Sequence, residues 1–265
     1  MRQRLGQHFL RDDGVVLAML AAVAPHKNEI SVEIGPGRGV MTKALLERGD
    51  KVLAIEWDED LANSLPGRFS EAKNLDVVHA DIRTFDLIGY LAKSERGSPQ
   101  YVILANLPYY LSSYFLRQVF QYRALPHAMV LLLQKEVAQR LCAQVGSSER
   151  SILSIMTQCY SNPQIILNVP KTAFTPPPKV DSAVVVFDHI STQFFNDISA
   201  SDFFRVVKAG FAEKRKTILN ALCGGLHLAK ADVVMVLEQA GISPHVRAQD
   251  ISLDQWKQLA KILKG

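Results

Sequence analysis

Four short patterns in the 265-residue chain carry groups suited to chemistry. Asn106-Leu-Pro-Tyr109 closes the apolar run YVILA on a polar amide, a rigid turn and an aromatic ring. An Asn side-chain oxygen, with the carbonyl of Leu107 or Pro108, can accept both N–H bonds of an amino group conjugated to a ring. That pulls the nitrogen toward tetrahedral geometry, exposes its lone pair and steadies the positive charge that grows as an alkyl group arrives. Pro108 fixes the turn and holds Leu107 out of the helical region. Tyr109 is placed to stack on a planar base. No strong general base is needed, because an ammonium-like product loses its proton readily.

The second pattern is Glu33-Ile-Gly-Pro-Gly-Arg-Gly39, where Gly35, Gly37 and Gly39 alternate ahead of a helical stretch. This spacing differs from the dinucleotide fingerprint, and Pro36 removes an amide donor that a phosphate cradle would use. It favours a nucleoside ligand without a pyrophosphate over a plain strand-to-helix turn. Glu56, 21 residues beyond Gly35, closes the next apolar run. A carboxylate there can accept two hydrogen bonds from a ribose cis-diol; helix leadership is the other role open to Glu56, as to Asp58. Asp81, after a third run, suits either an adenine amino group or an N-cap for the next turn. Acids and glycines at three successive strand ends describe an S-adenosylmethionine pocket better than a nicotinamide one.

The elements that must hold these groups follow from periodicity. Strands are predicted at Ile30–Ile34, Lys51–Ile55, Asp76–His79, Tyr101–Ala105, Met129–Leu133 and Ala183–Phe187. Helices are predicted at Val40–Glu47, Glu59–Phe69, Ser113–Gln121 and Lys135–Ala143. The alternation implies a parallel sheet covered on both faces, with ligands at the carboxyl ends of the strands. The polar stretch DHISTQFFNDISAS reads as a linker, and everything from Asp202 onward as helix broken at Gly224-Gly225 and Gly241. The expected class is α/β, with residues 1–190 as a Rossmann-like domain and 191–265 as a small all-helical domain.

Composition bounds the rest. With 48% hydrophobic and 21% charged residues, the chain can bury a core and is not a disordered one. A net charge of +4 permits an anionic partner without requiring it. Cys142, Cys159 and Cys223 form no C-x-x-C pair, which argues for small buried thiols in a reducing, cytoplasmic setting rather than disulfides or a metal site. Arg2, Arg4 and Arg11 before VVLAMLAAVA imitate a signal peptide, but Asp12 and Asp13 abut the apolar run and suit a helix N-terminus instead. That run is expected to be a buried amphipathic helix. No run reaches the length of a membrane span.

These motifs together resemble those of the ribosomal RNA adenine-N6,N6-dimethyltransferases that act on small-subunit RNA. The matching residues are Leu5-Gly-Gln-His-Phe-Leu10, Glu33–Gly39, Glu56, Ala80-Asp81, Asn106–Tyr109, Phe174-Thr-Pro-Pro-Pro-Lys-Val-Asp-Ser-Ala183, Phe211-Ala-Glu-Lys-Arg-Lys216 and Arg247-Ala248. The resemblance implies a Rossmann-like S-adenosylmethionine-dependent methyltransferase that uses no metal. It would dimethylate N6 of two adjacent adenines near the 3′ end of 16S rRNA, late in small-subunit biogenesis, within an immature 30S particle. Gln7, His8 and the Leu10 backbone would close over the donor. Gly35, Gly37, Glu56, Asp81 and Asn106 would line its pocket. Tyr109 and Phe174 would hold the flipped adenine, with Leu107 and Pro108 at the reacting nitrogen. His8 stands where Asn is common, Tyr110 where Asn is usual, and Glu213-Lys214 where a more basic pair is found. Three prolines preset an extended loop ahead of a buried strand, a stiff wall for Phe174. Two rivals are a resistance-type methyltransferase of large-subunit rRNA and a non-catalytic assembly factor.

Arg205, Lys208, Lys214, Arg215 and Lys216 fall within twelve residues of a helical stretch, against one acid, Glu213. With Arg247, they are the candidate RNA contacts, through phosphates rather than bases. No coiled-coil pattern appears, so a monomer is expected.

Overall fold

The computed structural model describes residues 8–23, 29–94, 100–108 and 111–264. The expected site residues Gln7 and Tyr109 lie outside the described residues, as do Arg2, Arg4 and Tyr110. In chain order the elements are β1 (Phe9–Leu10), α1 (Asp13–Ala21), β2 (Ile30–Ile34), α2 (Val40–Arg48), β3 (Lys51–Glu56), α3 (Glu59–Arg68), β4 (Leu75–His79) and α4 (Leu87–Ser94). There follow β5 (Tyr101–Asn106), α5 (Ser112–Val119), β6 (Ala128–Gln134), α6 (Lys135–Leu141), α7 (Ile152–Tyr160), β7 (Asn162–Val169), β8 (Phe174–Thr175) and β9 (Ser182–Asp188). Last come α8 (Ala200–Phe211), α9 (Ile218–Leu226), α10 (Lys230–Gln239) and α11 (Leu253–Ile262).

Seven strands form one sheet in the order β4-β3-β2-β5-β6-β9-β7. The pairs β2–β3, β2–β5, β3–β4 and β5–β6 are parallel. Their fully buried runs, such as ISVEI in β2 and AMVLLL in β6, are what a parallel sheet demands. Chain order reverses between β2 and β5, which makes their carboxyl ends the crevice where such sheets bind ligands. The register is level there: Ile34 pairs with Ile55 on one side and Ala105 on the other, and Glu56 pairs with His79.

The wholly parallel expectation is corrected at one edge. β9 runs antiparallel to both β6 and β7. β7 escaped notice because Pro163 and alternating polar residues disguise it. An edge strand tolerates both, since proline needs no ladder donor there. The N-terminal apolar run does form a helix. Asp12 caps α1 by accepting from the amides of Gly14 and Val15, and Val15, Val16, Met19 and Leu20 are buried. It is not amphipathic, since its outer face carries Leu17, which is 62% exposed.

Backbone contacts divide the chain into two units, residues 1–138 with 161–190 and residues 139–160 with 191–265. The expected break after residue 190 recurs, but Gln139–Tyr160 groups with the C-terminal helices rather than with residues 1–190. The cause is hydrophobic: α7 places Ile155 and Cys159 in the core built by Phe203, Val206, Leu222, Leu237 and Trp256. The supposed linker also belongs to that core. Ile198 is buried, and Phe194 and Phe195 pack edge-on against Phe203 at 5.1 and 5.8 Å. Nor do Gly224-Gly225 break a helix: α9 runs through them. A Cβ on Gly225 would come within 2.7 Å of the Ala209 Cβ, so glycine is what lets α9 approach α8.

Candidate functional site

The first unit holds a cavity of about 190 Å³ at the carboxyl ends of β2, β3, β4 and β5. His8, Leu10, Gly35, Gly37, Glu56, Asp81, Asn106, Leu107, Pro108 and Phe174 all line it. Every sequence-derived donor-site or catalytic residue within the described range therefore reaches one place.

The glycine run and Glu56 form a single device. Gly35, Gly37 and Gly39 all take positive φ, between 58° and 79°. At Gly37 an added Cβ would press within 3.3 Å of the Phe9 ring, so only glycine combines this turn with that approach. Glu56 Oε2 accepts from the Gly37 amide at 3.0 Å, and Oε1 from the Asp58 amide at 2.9 Å. Each oxygen keeps a further lone pair. Asp58, not Glu56, leads the helix: it caps α3 through the amides of Asp60 and Leu61. Of the roles left open for these acids, helix leadership thus falls to Asp58.

Asp81 caps the turn that follows it: Oδ1 accepts from the Arg83 amide at 2.9 Å, and its carbonyl accepts from the Thr84 and Phe85 amides at 3.0 and 2.9 Å. Its carboxylate takes the Arg83 guanidinium and backbone amide. Asp86 leads α4, accepting from Gly89 N at 2.9 Å. Arg83 holds the Asp81 carboxyl below its ordinary range, chiefly through the side-chain hydrogen bond.

Asn106 ends β5 half-buried, opposite Leu132 of β6. Leu107 is buried behind it. The Pro108 carbonyl accepts from Leu111 N at 2.9 Å, which engages it in the turn and favours Leu107 as the second acceptor beside Asn106. A Cβ on Gly35 would lie 3.8 Å from the Asn106 backbone carbonyl, so the glycine loop and the end of β5 lie side by side at neighbouring strand ends.

The wall opposite comes from two short strands. β1 pairs antiparallel with β8, Leu10 opposite Phe174 and Phe9 opposite Thr175. His8 Nδ1 donates to the Pro176 carbonyl at 2.7 Å. Arg11 adds its amide to the Ala173 carbonyl at 2.9 Å and its guanidinium to Thr175 Oγ1 at 3.1 Å. The N-terminal segment is thereby sewn to the proline loop, and Phe174 is buried at their seam.

Arg83, Trp57 and Glu33 are among the cavity residues given no role by sequence reasoning. Trp57 is 52% exposed at the rim. Its only sequence signal was its place next to Glu56. Glu33 sits 1% exposed in β2 and accepts from Thr42 Oγ1 at 2.6 Å; its signal was a lone acid inside the run ISVEI. Burial, with Glu56 nearby, pushes its carboxyl from an ordinary 4.5 up to about 7. An acid protonated more readily in the native state loses stability as pH rises from its unfolded to its native value. Glu33→Gln should therefore match wild type below pH 4.5 and gain on it between pH 5 and 8, by about 3 kcal/mol at the top of that range. Melting temperatures of both proteins across that range check this. A constant difference would refute it.

The donor set fits S-adenosylmethionine. It offers a glycine turn that an added side chain would crowd and paired carboxylate acceptors. Among the described residues no group of His, Cys, Asp and Glu is arranged to hold a metal. Comparison with known proteins agrees with the geometry: the family model for ribosomal RNA adenine dimethylase matches residues 1–265.

The chain belongs to that family.

A relative from Dehalococcoides mccartyi, named ribosomal RNA small subunit methyltransferase A, is 38% identical over 98% of this chain and 88% of its own length. Among solved structures, a dimethyladenosine transferase from Plasmodium falciparum superposes with a TM-score of 0.78 at 26% identity, covering 95% of this chain and 96% of that one. The 23S rRNA methyltransferase ErmE shares the fold, with a TM-score of 0.72 at 23% identity over 97% of this chain and all of that one. The chain thus has the Rossmann-like methyltransferase fold of an rRNA adenine dimethyltransferase.

The basic candidates lie in the second unit, and all six are exposed. They do not share one helix. Arg205 and Lys208 sit on α8, whereas Lys214, Arg215 and Lys216 occupy the turn between α8 and α9, because α8 ends at Phe211. The Arg205 guanidinium donates to the Leu263 carbonyl at 2.7 Å, and Lys216 pairs with Glu213 at 2.6 Å. Arg247 opens a turn closed by Asp250. No helix among the described residues is long and apolar enough to cross a membrane.

Proposed function

We propose that this protein transfers methyl groups from S-adenosylmethionine to N6 of two adjacent adenines near the 3′ end of small-subunit rRNA, within an immature 30S particle. The observation that carries the reading is the meeting of Asn106, Glu56, Asp81 and Phe174 on one cavity in a chain of this family. The bound donor supplies an electrophilic methyl group on a sulfonium. The protein's part is to hold and orient. Glu56 takes the ribose hydroxyls on the lone pairs its backbone contacts leave, Asp81 takes the adenine amino group, and His8 and Leu10 close the N-terminal strand over the pocket. A base in a helix must leave its stack to reach the cavity. Phe174 then stacks against it, as Tyr109 is expected to do. Asn106 Oδ1 and the Leu107 carbonyl accept its two N6–H bonds, which directs the nitrogen lone pair at the donor and favours the cationic transition state.

Lys208, Lys214, Arg215 and Arg247 are proposed phosphate contacts. Arg205 and Lys216 rank below them, since protein oxygens already occupy their charged groups. The helical unit serves on this reading as the RNA-binding domain, and the enzyme acts as a cytoplasmic monomer. Mass spectrometry of nucleosides after incubation with immature small subunits and donor tests the proposal, with N6,N6-dimethyladenosine as the expected product. Methylation of competing large-subunit rRNA instead would assign the chain to the resistance type.

Donor binding should also be visible optically. The chain has two tryptophans, Trp57 at the cavity rim and Trp256 fully buried in the helical unit. S-adenosylhomocysteine should quench the emission of Trp57 as its adenine stacks there. In Trp57→Leu the quench should vanish and affinity fall about threefold to tenfold, the worth of an aromatic pair. An undiminished quench in that variant would place the adenine elsewhere.

A further inference from the structure

We propose that Arg83 is the residue that positions Asp81, and thereby sets the preference of the pocket for a 6-amino purine. The proposal rests on the reading of Asp81 as the adenine acceptor. Asp81 Oδ1 accepts from the Arg83 amide at 2.9 Å and from Arg83 Nε at 3.0 Å. Oδ2 accepts from the same Nε at 2.9 Å and from Nη2 at 2.5 Å. A carboxylate offers about four acceptor sites. All four contacts come from one residue, with the Nε–H shared between the two oxygens, so Arg83 fixes the carboxylate at the cavity wall that both residues line. The shared Nε–H commits neither oxygen fully, which leaves the carboxylate able to accept from an exocyclic amino group.

Fold stability does not explain the pair. The two side chains are 48% and 24% exposed, and ion pairs in that setting contribute little. The backbone they ride on is fixed separately. Gln118 Nε2 donates to the Ile82 carbonyl at 2.9 Å, and the Tyr114 hydroxyl reaches the Arg83 carbonyl at 3.4 Å, so α5 holds the loop. What the guanidinium adds is a fixed carboxylate plane. Without it, only the Arg83 backbone amide would hold Asp81, the second oxygen would hydrate, and the carboxylate would be aimed at the adenine only part of the time. A planar two-pronged donor does this where a lysine could not. The same contact keeps the carboxyl ionised below its ordinary range, so the acceptor stays charged wherever the enzyme works.

Calorimetry on the full chain tests this with two ligands, S-adenosylhomocysteine and its 6-desamino analogue, which carries purine in place of adenine. Wild type should prefer the amino ligand by about tenfold or more, the worth of a hydrogen bond to a charged group. In Arg83→Met the preference should collapse to under about threefold, mostly by weaker binding of the amino ligand, with Arg83→Lys between the two. Equal weakening of both ligands would reduce Arg83 to a structural part, and an unchanged preference would overturn the proposal outright. Absence of any preference in wild type would instead remove the adenine reading of Asp81, and this inference with it.

Discussion

Asn106→Ala should lower methyl transfer by about 10²–10³-fold, the loss typical of removing one preorganised contact to developing charge. The size follows from where the amide sits. β5 ends at the switch point of the sheet, and its last residue stands level with the glycine turn after β2 and with Glu56 at the end of β3. The nitrogen to be alkylated is a poor nucleophile while its lone pair is spread into the purine, and an acceptor on its N–H bond localises that pair only if it is already in place. With the Pro108 carbonyl engaged by Leu111, the side-chain oxygen of Asn106 and the Leu107 carbonyl are the two acceptors at hand. Alanine removes one of them. Asn106→Asp keeps an oxygen at the same distance and should retain at least about tenfold more activity than alanine, because a hydrogen bond to a charged acceptor is no weaker than to a neutral one. Asn106 is half-buried at a strand end, so the melting temperature should barely move; a typical surface change is within about 0.5 kcal/mol. The measurement is single-turnover methyl transfer to immature small subunits beside a thermal melt. Alanine activity within a few-fold of wild type would sink the mechanism. If the inactive protein still supported small-subunit maturation, a checkpoint role would be separable from catalysis.

The central sheet was legible because a parallel strand buried on both faces leaves a near-continuous apolar run, and four such runs, with helical stretches between strands, admit few topologies. The pocket was legible for a related reason. In this architecture ligands bind where strands end, so the polar residue closing each run is the one to examine, and Glu56, Asp81 and Asn106 were found that way. What the run hid was the acid inside it: Glu33 reads as part of β2 until its carboxyl is seen to line the cavity. The other misses share one cause. β7, the aromatic pair Phe194-Phe195 and the grouping of residues 139–160 with the C-terminal helices all depend on partners far away in sequence, which no local pattern reports. Gly225 reads locally as a breaker, yet its conformation is ordinary helix and its purpose is room for Ala209. Arg83 carries no signal at all until its guanidinium is seen on Asp81.

Arg48→Met should destabilise the first unit by about 3–5 kcal/mol, the usual result of removing one partner from a buried charge pair. Arg48 Nε and Nη2 donate to the two oxygens of Asp50 at 2.9 and 2.6 Å, and Nη1 donates to the carbonyls of Leu20 and Val23 at 2.7 and 2.8 Å. One guanidinium thus joins the carboxyl end of α1, whose last carbonyls have no helical partner, to the turn between α2 and β3. The Asp50 side chain is only 3% exposed. With Arg48 gone it keeps the Ser31 hydroxyl at 2.6 Å, one donor for a buried negative charge. In the double variant Arg48→Met, Asp50→Asn the stranded charge is removed, and the loss should shrink by about half. If the damage came from the lost carbonyl contacts or from packing, the second change would recover nothing. Thermal unfolding followed by far-ultraviolet circular dichroism separates the cases, since a loss of this size lowers the midpoint by on the order of 10 °C in a domain of such length. The pair also bears on function. α1 packs its buried face against the sheet through Val15, Val16 and Met19 and is preceded directly by β1, so loosening its far end should free the strand that closes the cavity. Donor affinity in Arg48→Met should accordingly fall at temperatures well below its melting point, and the double variant should recover part of both affinity and stability together.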